Sequence, residues 1–216
     1  MTVERVGSGS PVWRFAARKP MGALGAVIVC ILVVMAVFAD RIAQHNPYQV
    51  RALQRFQPPG RAFWFGTDDF GRDVFSRVVY GARISLEIGV SAVLLGTSVG
   101  ALVGLISGYL GGRADLVVQR VLDALMAFPT LVLALAVVAA LGASLPNVIL
   151  AVALTLIPAA NRVVRSVALS VRETGYVLAA RALGGSQWRV IFVHVLPNCF
   201  APYLIIATAN LATAIL

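Results

Sequence analysis

Long apolar runs alternate with shorter polar segments along this 216-residue chain. The runs cover residues 21–39, 84–110, 117–141, 148–160 and 199–216. About 20 apolar residues in a helix span the hydrocarbon core of a bilayer. The pattern therefore predicts an all-α membrane protein, a polytopic helical bundle with four complete spans and a fifth, C-terminally truncated span that stops at Leu216.

The polar segments between these runs predict the loops. Residues 1–20 form a basic tail, and residues 40–81 contain Pro47, Pro58 and Pro59, which indicate an extramembrane loop with a short surface helix near residues 73–80. The first run resembles a secretory signal, but its length favours a retained span. A moderate excess of arginine in the segments on one side predicts a cytoplasmic N-terminus.

Glycine recurs at every fourth position of the second run. This spacing places the residues on one helix face, where the missing side chains allow a neighbouring helix to approach closely. Tight helix packing is favoured over a chance distribution of glycine. The predicted packing residues are Gly96, Gly100, Gly104 and Gly108.

Composition excludes several classes of protein. The chain is 59% hydrophobic and only 12% charged, which is too apolar for a soluble domain. Its net charge of +9 comes from arginines scattered between apolar runs, so we expect contact with membrane lipid and no nucleic-acid binding.

No residue pattern for catalysis is visible, so no catalytic residue is predicted. The two histidines, His45 and His194, lie in different segments, and we expect no metal site. The sequence has no phosphate-binding loop, and we expect no cofactor in this chain. Energy for transport would come from a gradient or from another subunit.

Charged residues near the ends of the spans suggest local ion pairs. Arg83 with Glu87, and Arg120 with Asp123, have helical spacings that favour pairing over a role in a transport pathway.

The polar stretch 170–198 is the most informative segment. Ser170 and Glu173 match a capping box, residues 176–183 favour a helix, Gly184 with Gly185 ends it, and Ser186 can cap a second short helix. Such an element could dock into a groove on a partner or could connect two spans along the membrane surface, and the residues alone do not decide between these interpretations.

Several short motifs in this order resemble one transporter family. They are Gly66-Thr67-Asp68, Gly71-Arg72-Asp73, Gly81-Ala82-Arg83, Gly108 to Gly112, Asp123 to Pro129, and Leu178-Ala179-Ala180 followed by Gly184 and Leu196-Pro197-Asn198. The last set is similar to the "EAA" loop of ABC importer permeases, and the others are similar to the dipeptide, oligopeptide and nickel branch of that family.

The resemblance implies a type I ABC importer transmembrane domain over residues 66–216, preceded by the tail, first span and external loop over residues 1–65. It implies six spans, a second permease subunit, two cytoplasmic ATP-binding subunits and an extracytoplasmic solute-binding protein. Leu178 occupies a position where the family usually has glutamate. The implied ATPase-coupling residues are Tyr176, Leu178, Ala179, Ala180, Gly184, Trp188 and Pro197.

The main hypothesis is therefore a multi-pass permease subunit of the cytoplasmic (inner) membrane, which imports di- or oligopeptides with ATP bound by partner subunits. A bulky charge at Ala180 or Gly184 is predicted to uncouple transport or to prevent assembly. The alternative is a gradient-driven carrier or channel without an ATPase, which predicts ionisable groups at mid-membrane and an inverted repeat. A membrane enzyme is a weaker third hypothesis.

Overall fold

The computed structural model describes residues 19–215. Four helical segments are long and apolar enough to cross a membrane, and α4 with α5 adds a fifth if the bent pair is one span, which confirms the predicted all-α multi-span architecture. The basic tail predicted for residues 1–20 lies almost wholly outside the described residues. The helices are α1 Pro20–Val37, α2 Ala39–Ile42, α3 Val74–Leu110, α4 Gly112–Met126, α5 Thr130–Leu141, α6 Leu145–Arg172, α7 Gly175–Ala182, α8 Gln187–Arg189 and α9 Leu196–Ile215, with a 3-10 turn at Ala52–Gln54 and a π-helix at Val190–Val195.

Helix α3 begins ten residues earlier than its apolar run. Its start is set by Asp73, whose carboxylate accepts a hydrogen bond from the backbone N–H of Ser76 at 3.2 Å, as a helix N-cap does. The short surface helix expected near residues 73–80 is therefore wrong as a separate element, because those residues form the first turns of α3.

The third apolar run is interrupted at Pro129. Helices α4 and α5 meet at an angle of 91° across the break. Proline disfavours the helical conformation of the residue before it, and Pro129 itself has an extended backbone with ψ of 131°. The predicted kink is thus a complete break in the helix.

Helix α6 is longer than its apolar run and packs against both α5 and α9. It starts at Ser144, whose hydroxyl accepts a hydrogen bond from the N–H of Asn147 at 3.4 Å. The helix continues through Ser170 to Arg172, so the predicted capping box at Ser170 is wrong. Small side chains such as Ala153 and Ala160 are buried on its packed face.

The chain divides into two compact units, residues 1–86 and 87–216, with the division inside α3. The boundary predicted between residues 65 and 66 is not tested by this division and stays a prediction.

In the first unit, Arg83 joins the end of α1 to the start of α3. Its guanidinium donates to the carbonyl oxygens of Ala36 at 2.8 Å and Val37 at 3.3 Å, and it pairs with Asp40 at 3.0 Å. Arg83 therefore pairs with Asp40, and the expected Arg83–Glu87 pair is not among the ion pairs of the described residues.

The core of the second unit surrounds the polar stretch that follows α6. Leu105 from α3 and Val164 and Ala168 from α6 are buried together with Val177 and Ile191. The segment that follows α6 is thus anchored to the transmembrane helices by apolar packing.

Candidate functional site

The segment between α6 and α9 folds as a short helix, a glycine turn and a return helix, as predicted. Thr174 precedes α7, and the N–H groups of Gly184 and Gly185 donate to the carbonyl oxygens of Arg181 at 3.0 Å and Ala180 at 3.1 Å, which closes the end of α7. Ser186 then caps α8 by accepting from the N–H of Arg189 at 3.4 Å, as predicted.

Both glycines are required by this turn. Gly184 has φ of +83°, a left-handed conformation that side chains disfavour. A Cβ on Gly185 would lie 2.7 Å from the carbonyl oxygen of Ala180. The path of the chain after α7 therefore depends on this glycine pair.

One face of α7 is fixed to the core. Val177 is fully buried with Val190, Ile191 and Val195 of the π-helix, and Ala180 packs against the same cluster. A rigid displacement of α7 would therefore be transmitted to the π-helix and to α9, because close-packed side chains cannot compress.

A polar contact joins α7 to α9 beside this apolar one. The amide Nδ2 of Asn198 donates to the hydroxyl of Tyr176 at 3.0 Å and to the carbonyl oxygen of His194 at 2.8 Å. The Tyr176 hydroxyl lies 3.4 Å from the same carbonyl and can donate to it. We call these three residues the Tyr176–Asn198 clasp.

The segment also exposes several large apolar side chains, Tyr176, Leu178, Leu183 and Trp188. Leu183, at the end of α7, is 89% exposed, and it was not singled out from the sequence. The sequence feature that could have indicated its exposure is the position of this apolar residue next to a glycine turn inside a polar stretch. Of the seven residues predicted to couple to an ATPase, Ala180 packs against the core, and Gly184 is exposed and shapes the turn. The other exposed ones are Tyr176, Leu178, Ala179, Trp188 and Pro197, and the coupling role of all seven stays a prediction.

The glycine stripe of α3 lies against the backbone of α6. A Cβ on Gly104 would lie 2.5 Å from the carbonyl oxygen of Asn161, and one on Gly108 would lie 3.0 Å from that of Arg165. Gly96 and Gly100 similarly face the backbone of Ala153 and Ile157. The missing side chains allow the two helices to approach closely.

Helices α4 and α6 are joined by a polar network. Arg165 donates from Nε and Nη2 to the two carboxylate oxygens of Asp115, at 2.6 and 2.5 Å. Gln119 donates to the fully buried Asn161 at 3.1 Å. Asp123 pairs with Arg162 at 3.1 Å, so the expected partner Arg120 is wrong. These partners come from distant segments, and no local spacing could reveal them.

Among residues 19–215, no three or more His, Cys, Asp or Glu side chains come together as a metal site requires.

Residues 100–216, more than half of the chain, match the family model described as the binding-protein-dependent transport system inner membrane component. The chain belongs to this family. Residues 10–59 of the permease also match the model of the N-terminal transmembrane domain of oligopeptide transport permease C. These matches confirm the resemblance seen in the motifs.

Curated relatives agree with the family models. The permease is 41% identical to the dipeptide transport system permease protein DppC of Alkalihalophilus pseudofirmus over 94% of this chain and 68% of that protein. It is 40% identical to the probable D,D-dipeptide transport system permease protein DdpC of Escherichia coli, over 95% and 68%. It is 36% identical to the oligopeptide transport system permease protein OppC of Bacillus subtilis, over 94% and 66%.

Proposed function

We propose that this permease forms part of the path by which di- or oligopeptides enter the cell, driven by ATP that separate subunits bind and hydrolyse. Relatives named for dipeptide and oligopeptide transport support the substrate class. In this proposal the chain has no cofactor and no nucleotide site of its own, its N-terminus is cytoplasmic, and it works with a second permease, two ATP-binding subunits and an extracytoplasmic binding protein.

The exposed apolar face of the segment between α6 and α9 supports this proposal best. Exposed Leu178, Leu183 and Trp188 lie on an element whose other face is fixed to the helical core. An apolar surface at a short helix fits a groove on a partner, since contact with it removes apolar area from water. We propose that the ATP-binding subunit supplies this groove.

The coupling would work through contacts already present. When the ATP-binding subunits close, they displace α7, and Val177 and the Tyr176–Asn198 clasp transmit the displacement to α9 and α6. The permease would thereby switch between inward- and outward-facing packings of its helices. The ATP-binding subunits would shift this equilibrium because they make different contacts with the two packings.

The experiment uses the exposed end of α7, because Gly184 and Ala180 are poor test sites. A charge at Gly184 would strain a left-handed backbone, and one at Ala180 would enter the core. Leu183→Glu is expected to abolish co-purification with the ATP-binding subunit or to reduce peptide uptake per ATP hydrolysed at least about tenfold, since a carboxylate would be buried in an apolar contact.

A matched control makes the test specific. Leu183→Met keeps an apolar side chain of similar size and should behave like the parent. Normal uptake and assembly in Leu183→Glu would refute the proposed contact, and a parent that transports without any ATP-binding subunit would favour the gradient-driven carrier.

A further inference from the structure

The carboxylates in and beside the loop between α2 and α3 all have a polar or positively charged partner. Asp40 pairs with Arg83, Asp68 with Arg72 and Arg77, and Asp73 is buried against Ser76 and His45. Asp69 lies 3.9 Å from Arg72.

Three arginines of the same loop have no such partner. Among residues 19–215, no carboxylate oxygen lies within 4.0 Å of a side-chain nitrogen of Arg51, Arg55 or Arg61. Segment 51–61 therefore presents positive charge to its surroundings, and it suits an acidic counterpart.

The same segment also exposes large apolar side chains. Leu53 is fully exposed and Phe56 is 74% exposed. Leu53 and Arg51 border a cavity of about 530 Å³ that His45 and Phe63 also line, and the Arg51 guanidinium lies 5.6 Å from the centre of the Phe63 ring. The surface thus combines apolar projections with a basic recess.

Phe56 is held in an unfavourable backbone conformation. Its φ is 52°, the only positive φ of a non-glycine residue among residues 19–215. The conformation is enforced by neighbouring contacts: Phe56 N–H donates to the Asp68 carbonyl at 3.3 Å, and Gln57 N–H donates to the Thr67 hydroxyl at 2.8 Å. Residues in such sparsely populated backbone conformations cluster at active sites, ligand clamps and switch regions.

The position of this segment along α3 distinguishes protein from lipid as its partner. Arg83 binds the last carbonyl oxygens of α1, so it marks the level at which that span leaves the apolar core. Val74, where α3 starts, is nine residues earlier and hence roughly 13 Å beyond Arg83. The headgroup layer is only about 5–7 Å thick on each side of the core, so a loop beyond Val74 lies in water.

We propose that segment 51–61 is a docking surface for an acidic, partly apolar face of the extracytoplasmic binding protein. Leu53 and Phe56 form the apolar centre, and Arg51, Arg55 and Arg61 form a basic rim. This inference rests on the proposed function, which supplies the binding protein as a partner and places the loop outside the cell.

The test uses the assembled importer in lipid nanodiscs and the binding protein that stimulates its ATPase activity. The double variant Arg55→Glu, Arg61→Glu should raise the Kd for the binding protein about tenfold, chiefly through slower association, and should weaken its dependence on salt. Arg41→Glu is the control, because it reverses an exposed arginine of α2, outside segment 51–61.

Phe56→Asn provides a second test that is independent of charge. Asparagine tolerates the left-handed backbone, so the thermal stability of the complex should not fall, whereas the Kd should rise about tenfold as the central aromatic ring is lost. Leu53→Cys, in a Cys30→Ser background, can hold a spin label whose accessibility to oxygen and to a soluble nickel chelate reports immersion in lipid.

The outcomes are distinct. Kd values within about twofold of the parent for the arginine and phenylalanine variants would overturn the docking surface. A label at residue 53 buried in lipid would overturn it in favour of a membrane contact. A parent complex that neither binds nor responds to a binding protein would refute the proposed function as well.

Discussion

Replacing Gly104 by alanine adds one methyl group to the face of α3 that lies against α6. The new Cβ would lie 2.5 Å from the carbonyl oxygen of Asn161 and 3.1 Å from the backbone nitrogen of Arg165, whereas ordinary contact begins at 3.4 Å. Both neighbours are backbone atoms of a helix, so no side chain can rotate away. The two helices must separate by roughly 1 Å or deform, which costs about 1–3 kcal/mol of unfolding free energy.

Gly81→Ala is a matched control on the same helix. A Cβ at Gly81 meets nothing within 4 Å. Alanine favours the helix over glycine by about 0.5–1 kcal/mol, so this variant should be as stable as the parent or slightly more stable. The two substitutions are chemically identical, and only the neighbouring helix distinguishes them.

Thermal unfolding monitored by a thiol-reactive dye can measure the difference. Cys199 is buried and becomes reactive when the bundle opens, and Cys30→Ser removes the exposed thiol. The unfolding midpoint of Gly104→Ala should fall by roughly 2–12 °C, since 1 kcal/mol shifts the midpoint of a chain of this size by about 2–4 °C. A Gly104→Ala midpoint equal to the parent's, or an equal loss in Gly81→Ala, would refute the packing argument.

Three further predictions follow from polar contacts. Asp115→Asn should lower the unfolding free energy by about 1–3 kcal/mol in the same dye assay, since Arg165 loses its carboxylate partner. Asp115→Glu, which keeps the charge, should lose less unfolding free energy. An unchanged midpoint in Asp115→Asn would count against the network. Tyr176→Phe removes the hydroxyl that accepts a hydrogen bond from Asn198. This variant should reduce peptide uptake per ATP hydrolysed severalfold and should still co-purify with the ATP-binding subunit. Unchanged uptake per ATP would exclude a role for the Tyr176–Asn198 clasp. Burial raises the pKa of Asp68, but hydrogen bonds from backbone N–H groups and two arginines outweigh it and lower the pKa to about 2, below the ordinary 3.8. Its contribution to loop stability should therefore be complete above pH ~4 and lost as the pH falls through ~2, whereas Asp68→Asn should abolish this pH dependence in limited proteolysis of the loop.

The spans and the glycine face could be predicted from sequence because both depend on local periodicity. A run of apolar residues indicates a span, and a glycine at every fourth position indicates a smooth helix face, whichever helix packs against it. The identity of the helix against which the glycines pack was not available, since α6 is connected to α3 through two intervening helices.

The ion pairs could not be predicted in the same way. Arg83 and Glu87 have suitable helical spacing, but Arg83 binds Asp40 and the end of α1 instead. Long-range pairing decides these positions. The early start of α3 was missed for another reason: the prolines of residues 40–81 indicated a loop, and only a short separate helix was expected near residues 73–80.

The segment between α6 and α9 falls between these cases. Its helix, glycine break and return helix follow from local residue types, and its family resemblance follows from motif order. The inward orientation of Ala180 and the exposure of Leu183 depend on which face of α7 packs against the π-helix. The sequence of this eight-residue helix does not determine that tertiary packing.

In the proposed mechanism, ATP hydrolysed by partner subunits moves peptide through this permease by way of α7. The most direct measurement is uptake of a labelled dipeptide into proteoliposomes that contain the permease, its partner permease and the ATP-binding subunits, with the binding protein and no ion gradient. Accumulation should require ATP and should fall at least about tenfold in Leu183→Glu. Accumulation without ATP, or equal ATP-driven accumulation in Leu183→Glu, would contradict it.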